Sequence, residues 1–455
     1  MPKSPAFWVP SLGQHAGPVY LAIADAIAAD IAKGRLKPGA RLPPQRTLAG
    51  ALGIDFTTVT RAYAEARQRG LVEGRVGHGT YVRPSAERPA RLADLGMNLP
   101  PHIRDPKLDE RLRAGIDAVA AEGQDLFLAY QDPAGAEADR QAAGRWLAPR
   151  LPGLAPERIV VCPGTQGAMV AALNLLARPG DTVCTEALTY PGFLALAAHL
   201  GLRIVPVAMD ADGLDPDSFA AVCETARPKM LYCTPTFHNP TTATLPPARR
   251  ARIVEIARRH GVAILEDDVY GALPEAPVPP LAALAPDIVY YMAGLAKCLS
   301  PALRIAYLVP PDARAAMRAA GAVRAFSGMA SPVTAAIATR WIEDGTADTL
   351  LRALRAETMA RQQIAARLLP QAKTHPCCFH AWLVLPKGWT AGALTGRARL
   401  AGIGLVTADA FAVGSAPEAA RIALGVARDR EALARGLDIL AGLLAQPPGT
   451  STNVV

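Results

Sequence analysis

The chain has 455 residues, 51% of them hydrophobic, yet no apolar run reaches membrane-spanning length and residues 1–10 lack a signal-peptide pattern, so a cytoplasmic protein is expected. Seven cysteines, an odd number without a Cys-x-x-Cys pair, argue against a disulfide framework or a zinc site. Residues 1–83 hold eleven Lys and Arg against five Asp and Glu, a net of +6, while the other 372 net +2 from 37 against 35, which points to a small module that meets a polyanion.

From Gly17 the pattern is helical. Tyr20, Ile23, Ala24, Ile27 and Ile31 share one face, and Gly34 stops the helix. Pro43-Pro44 opens a second helix over Gln45 to Leu52, because proline is tolerated in a first turn, and Gly53 ends it. A third helix follows Asp55, an N-cap residue, through Val59, Tyr63 and Ala66 to Gly70. Two helices around a tight glycine turn make a helix-turn-helix candidate, and residues 71–82, two short strands around glycines, read as a hairpin wing.

Gly39-Ala40-Arg41-Leu42-Pro43, Leu48-Ala49, Thr58-Val59 and Gly77-His78-Gly79-Thr80, in that order, make residues 1–83 resemble the winged helix-turn-helix of the GntR transcription factors. The resemblance implies an α+β DNA-binding domain facing operator DNA with Arg46 on the second helix, Thr57, Thr58, Thr60 and Arg61 on the third, and His78 on the wing. These residue types suit DNA recognition, since arginine reads guanine or clamps phosphate and threonine bonds either. Phe56 stands where many members of that family carry an arginine at the start of the recognition helix.

Residues 84–96 are rich in proline and charge without periodicity and read as a linker. Beyond them, apolar runs at 158–162, 182–186, 203–207, 230–234, 262–267, 288–292 and 305–309 alternate with helical patterns. That alternation predicts an α/β domain built on a seven-stranded, mostly parallel sheet. In such sheets a ligand sits at the carboxyl ends of the strands, and the polar residues of interest fall there.

Pro163-Gly164-Thr165-Gln166-Gly167 opens a helix whose free amides can cradle a phosphate. Glu266-Asp267-Asp268-Val269-Tyr270 offers a carboxylate able to keep a pyridine nitrogen protonated and a phenol for a ring oxygen, which Asn239 can also reach. Tyr190, before Pro191-Gly192, can stack on a ring. Lys297 offers an amine to an aldehyde cofactor, and Arg304, seven residues later, a fork for its phosphate. Singly, each reads better as a cap, a turn or a core residue; jointly, at successive strand ends, they point to one site.

Together these motifs make residues 97–446 resemble the fold-type I aminotransferases. The resemblance implies pyridoxal 5′-phosphate held as an aldimine on Lys297, with Asp267 at the pyridine nitrogen and Tyr270 and Asn239 at the phenolate oxygen. Tyr190 would stack on the ring, and Gly164, Thr165, Gln166 and Arg304 would hold the phosphate. Tyr130, in Tyr130-Gln131-Asp132-Pro133-Ala134-Gly135, would reach the phosphate of a neighbouring subunit, which implies a homodimer, and Arg421 would grip an amino acid's carboxylate. Residues 330–446 would form a smaller α/β subdomain that closes over the ligand, and 447–455 a disordered tail.

The fusion resembles the MocR group of bacterial regulators, which implies a head-to-tail, domain-swapped dimer whose cofactor senses an amino acid or amine effector. Gly294 and Ala296 stand where such aminotransferases usually carry hydroxyl residues, and Thr242 where a glycine usually follows Asn-Pro-Thr. The sequence thus supports a pyridoxal-phosphate-dependent transcriptional regulator; the alternative is an active aminotransferase with an accessory DNA-binding module.

Overall fold

The computed structural model describes residues 7–10, 18–32, 34–37, 39–69, 71–75, 79–82, 93–123 and 125–446; the expectations for His78, for residues 84–92 and for the tail 447–455 lie outside them. The chain divides into two units, Met1–Ala90 and Arg91–Val455.

In the first unit, α1 (Val19–Ala32), α2 (Gln45–Leu52) and α3 (Phe56–Gln68) precede β1 (Val72–Arg75) and β2 (Gly79–Val82), which pair antiparallel with Val72 opposite Val82. Ile23 and Ile27 pack with Leu48, Val59, Tyr63 and Val72 in one small core, so the apolar face of α1 is the surface that the other elements cover. Two caps set the turn between α2 and α3. Gly53 takes the left-handed conformation at φ 63° to end α2, and the Asp55 carboxylate accepts the Thr57 N–H at 2.7 Å to start α3. The Tyr63 hydroxyl donates to the Pro43 carbonyl at 2.7 Å and pins α3 to the entry of α2.

The strands of the second unit are β3 (Ala93–Asp94), β4 (Val160–Cys162), β5 (Thr182–Glu186), β6 (Arg203–Val207), β7 (Met209–Asp210), β8 (Gly213–Leu214), β9 (Met230–Cys233), β10 (Ala263–Asp267), β11 (Val289–Gly294), β12 (Ala306–Val309), β13 (His380–Val384), β14 (Ile403–Gly404), β15 (Val406–Thr407) and β16 (Ala419–Ala423). Seven of them form the central sheet in the order β4-β12-β11-β10-β9-β5-β6, parallel throughout except for β12, which runs antiparallel to both its neighbours. Residues 295–305 hold no helix, and a parallel return needs a crossover, so β12 turns back against β11. Val161, Leu231, Ile264 and Tyr291 enter one apolar cluster, and Val160, Met230, Leu265 and Met292 the other. Burial on both faces is why these strands read as unbroken apolar runs.

Two strand ends differ from the expected runs by two residues, the others by one at most. Arg158 belongs to a 3-10 turn, Pro156–Arg158, because its guanidinium reaches back to the Pro310 carbonyl at 2.9 Å; β11 continues past Met292 to Gly294 because β12 extends the ladder there. A third apolar cluster surrounds the antiparallel sheet β13-β16-β15. Leu95 packs in it and β3 pairs with β14, so the start of this unit is built into the same body as its C-terminal helix, Arg430–Leu444. Among the described residues no helix is long and apolar enough to cross a membrane.

Candidate functional site

A cavity of about 620 Å³ lies at the carboxyl ends of the central strands. Of the residues expected at a site, Thr165, Tyr190, Asn239, Asp267, Tyr270, Lys297 and Arg421 line it. Asp267 ends β10, fully within the protein. Its Oδ2 accepts the Tyr232 hydroxyl from β9 at 2.6 Å, whereas Oδ1 has no partner among the described residues, and burial pushes the carboxyl up to about 6. A buried carboxylate oxygen left unpaired is costly, so it marks a place prepared for a donor.

Lys297 follows β11 and is half-buried, with Nζ donating to the main-chain oxygen of Asn98. Burial, then the charge of Arg421, pulls the amine down to about 8 against the opposing pull of Asp267. An amine becomes a nucleophile when it loses its proton, so capture of an aldehyde by the cofactor-free protein will rise about tenfold per pH unit below 8 and level off above it. Stopped-flow absorbance checks this; a rate still climbing steeply beyond pH 9.5 contradicts the assignment.

Arg421, on β16, donates to Asn239 Oδ1 at 2.8 Å and to the Gly96 carbonyl at 2.5 Å, lies over the Phe411 ring at 4.9 Å, and keeps Nε unpartnered. Because Asn239 spends its oxygen on Arg421, its amide N–H groups stay available as donors. Tyr270 is buried, which raises its pKa and keeps the hydroxyl protonated, and it accepts the Asn98 amide at 2.8 Å. The Tyr190 hydroxyl accepts Gln166 Nε2 at 3.0 Å, and a Cβ at position 192 would collide with the Tyr190 ring, so Gly192 is what lets the ring fold back.

The helix Gly164–Leu176 starts without a side-chain cap, leaving its first amides for an anion. Arg304 lies against Gly164, its guanidinium carbon 3.5 Å from where a Cβ would be. Neither residue, nor Gln166, lines the cavity itself. Gly294 has a structural cause: a Cβ there would collide with the hydroxyl of Thr165. A hydroxyl from the first turn of the helix after β4 thus fills the space that a side chain on β11 would otherwise use. Thr242 and Arg304 take left-handed backbone at φ 67° and 54°, conformations that disfavour non-glycine residues. Tyr130 is 94% exposed and outside the cavity.

Sequence reasoning missed Tyr232, Asn98 and Phe411. Tyr232 hides inside an apolar run, stacked on Phe193 at 4.0 Å. Only its hydroxyl in the middle of a buried strand could have flagged it.

In the first unit, Arg46, Thr57, Thr60 and Arg61 are exposed and Thr58 is half-buried. Phe56 presents its ring to Arg46, whose guanidinium lies 5.7 Å from the ring centroid, so a guanidinium stands at the start of α3 although the residue there is phenylalanine. Arg61 lies over Tyr20 at 4.8 Å. The Thr57 hydroxyl donates to Asp55 and that of Thr60 to Gln45 at 2.9 Å, which leaves both oxygens as acceptors toward solvent.

Residues 91–372 match the family model of aminotransferase class I and II, and residues 19–82 that of bacterial regulatory proteins, gntR family. The HTH-type transcriptional regulator YdeF of Bacillus subtilis is 30% identical over 97% of this chain and 97% of its own length. The probable rhizopine catabolism regulatory protein MocR of Rhizobium meliloti is 28% identical over 65% of this chain and 66% of its own. Among solved structures, LysN, the α-aminoadipate aminotransferase of Thermus thermophilus complexed with N-(5′-phosphopyridoxyl)-L-leucine, superposes with a TM-score of 0.70 at 25% identity, covering 79% of this chain and 95% of that one.

Proposed function

This chain belongs to the MocR-type regulators, a gntR-family helix-turn-helix unit joined to an aminotransferase class I and II body, and on that footing we propose that it binds operator DNA and senses an amino-group-bearing effector through pyridoxal 5′-phosphate on Lys297. The observation that carries this reading is the meeting of Lys297, Arg421 and the unpartnered Oδ1 of Asp267 in one cavity. The cofactor, when bound, supplies an aldehyde that exchanges amines and a ring that withdraws electrons.

The chain's own residues fit that group. Asp267 Oδ1 receives the ring N–H and holds it protonated; Tyr270 and the free amide of Asn239 donate to the phenolic oxygen; Tyr190 stacks on the ring. Gly164, Thr165 and Gln166 offer main-chain amides to the phosphate, with Arg304 beside them. Arg421 takes the effector's carboxylate with the Nε it keeps free. Residues 330–446 act as the subdomain that closes over the ligand. Tyr130, 94% exposed in the single chain, finds its use at the phosphate of a second copy in a head-to-tail homodimer. The intact residue set also favours a second reading, an active aminotransferase.

The deciding experiment uses the full chain with pyridoxal 5′-phosphate and a fragment of its own upstream DNA. Amines that change DNA affinity while the visible band of the bound cofactor persists support the sensor; rapid conversion to the pyridoxamine form with release of a keto acid supports the enzyme. A protein that stays colourless after cofactor addition sinks both. Arg46→Ala should weaken binding to all sequences alike and lower the salt slope by about one, with the cofactor spectrum unchanged.

A further inference from the structure

Four residues of one short segment line the cavity: Asp94, Gly96, Met97 and Asn98. The segment is fastened on either side of its middle. Leu95 donates to the Gly404 carbonyl at 2.7 Å and accepts from Ala423 at 2.8 Å, and the Leu99 carbonyl occupies the space where any side chain on residue 425 would stand, so only glycine fits there. Its middle is held by the site itself. Lys297 donates to the Asn98 carbonyl and Arg421 to the Gly96 carbonyl, and no other donor reaches either oxygen among the described residues.

The amide nitrogen of Asn98 is equally committed, while Oδ1 of the same side chain has no partner among the described residues. Its Nδ2 lies 2.8 Å from the Tyr270 hydroxyl and 3.2 Å from His380 Nδ1. His380 is buried and neutral, its pKa held down to about 3 by burial, and its Nε2 faces the His238 carbonyl at 3.2 Å. A carbonyl only accepts, so Nε2 carries the proton and Nδ1 is an acceptor, shared by the Asn98 amide and the Cys378 thiol at 3.1 Å. Both amide hydrogens are then assigned. Tyr270 receives one at its oxygen, which turns its own hydrogen toward another acceptor.

We infer that Asn98 is a positioning residue of this site: its amide aims the Tyr270 hydroxyl at the bound ring oxygen, and its carbonyl gives up Lys297 when the cofactor is captured. This rests on the reading that Lys297 carries the cofactor. A carbonyl that loses its donor is disfavoured unless the backbone re-seats, so the segment 96–98 shifts with occupancy of the site. A carboxylate that binds Arg421 side-on, across the free Nε and the Nη2 that now holds Gly96, releases the Gly96 carbonyl in the same way. The segment leads, through residues 84–92, to the DNA-binding unit, so the part of the site that moves is continuous in the chain with what it must inform.

The test is the pH midpoint of the visible cofactor band in the full-length protein. A hydroxyl aimed at the ring oxygen favours its anionic form, so weakening that donor raises the midpoint. Asn98→Leu, uncharged and of similar size, should raise it by roughly half a unit, and Asn98→Asp, which draws the Tyr270 hydrogen to itself, by about one unit or more. In a Tyr270→Phe background Asn98→Leu should add nothing, because its effect passes through that hydroxyl. Amide hydrogen exchange in residues 95–99 of the wild type should speed up several-fold on cofactor loading. A normal wild-type band with an unchanged Asn98→Leu midpoint, a full shift persisting in the Tyr270→Phe background, or unaltered exchange would overturn this inference and leave the proposed function standing. A colourless wild type overturns both.

Discussion

Lys297→Ala will abolish the visible band that the wild type develops with pyridoxal 5′-phosphate, because no other amine lines the cavity among the described residues. Without a covalent bond the cofactor is held by phosphate and ring contacts alone, and its retention on dialysis should fall by roughly two orders of magnitude, equivalent to about 3 kcal/mol. On the proposed sensor reading, amines that change DNA affinity in the wild type will not do so in the variant. A second signature needs no cofactor. The amine titrates near 8 in the folded chain and at 10.5 when free, so between those values the unfolded chain binds more protons. Stability of the wild type therefore rises with pH across that window, and the variant should lose this rise. Denaturant melts from pH 7.5 to 10.5 measure it; identical slopes for the two proteins would contradict the buried placement of Lys297.

Asp267→Asn will keep the visible band but loosen the cofactor roughly ten- to a hundredfold, since a charge-assisted hydrogen bond worth about 1.5 to 3 kcal/mol becomes a neutral one. The same change should not harm the cofactor-free protein. The carboxyl titrates near 6 when folded, above its free value of 3.8, so its stabilising contribution is complete only below pH 4 and is lost as pH rises through 6. At pH 7 the wild type bears the full cost of a buried anion, and the variant should be at least as stable. Lys297 loses the carboxylate that favours its protonation, so the plateau of cofactor capture should move below pH 8. Equal retention in variant and wild type would remove Asp267 from the pyridine nitrogen.

How much of this was legible in the chain depends on the range of the signal. The helix-turn-helix was written in local terms: glycine and proline at the ends of α2, an N-cap at Asp55, an apolar face on α1. The runs that became β9 and β11 were plain because burial on both faces leaves them almost wholly apolar. Parallel strands carry their carboxyl ends to one edge, so Tyr190, Asn239, Asp267 and Lys297, each at the end of a run or just beyond it, could be gathered without knowing the strand order.

What the sequence determined by itself was therefore the kind of fold, the pairing of a DNA-binding unit with an aminotransferase-like body, and the polar residues at its strand ends. Only the tertiary structure decided who meets whom across long separations: Tyr232 bonded to Asp267, Asn98 between Lys297 and Tyr270, Phe411 beneath Arg421, and Thr165 filling the space that makes residue 294 a glycine. The physical reason is that periodicity and capping act over a few residues and leave a local pattern. A hydrogen bond or close packing between distant segments leaves none in either segment alone, and it exists only after the sheet and the smaller cluster have brought them within reach.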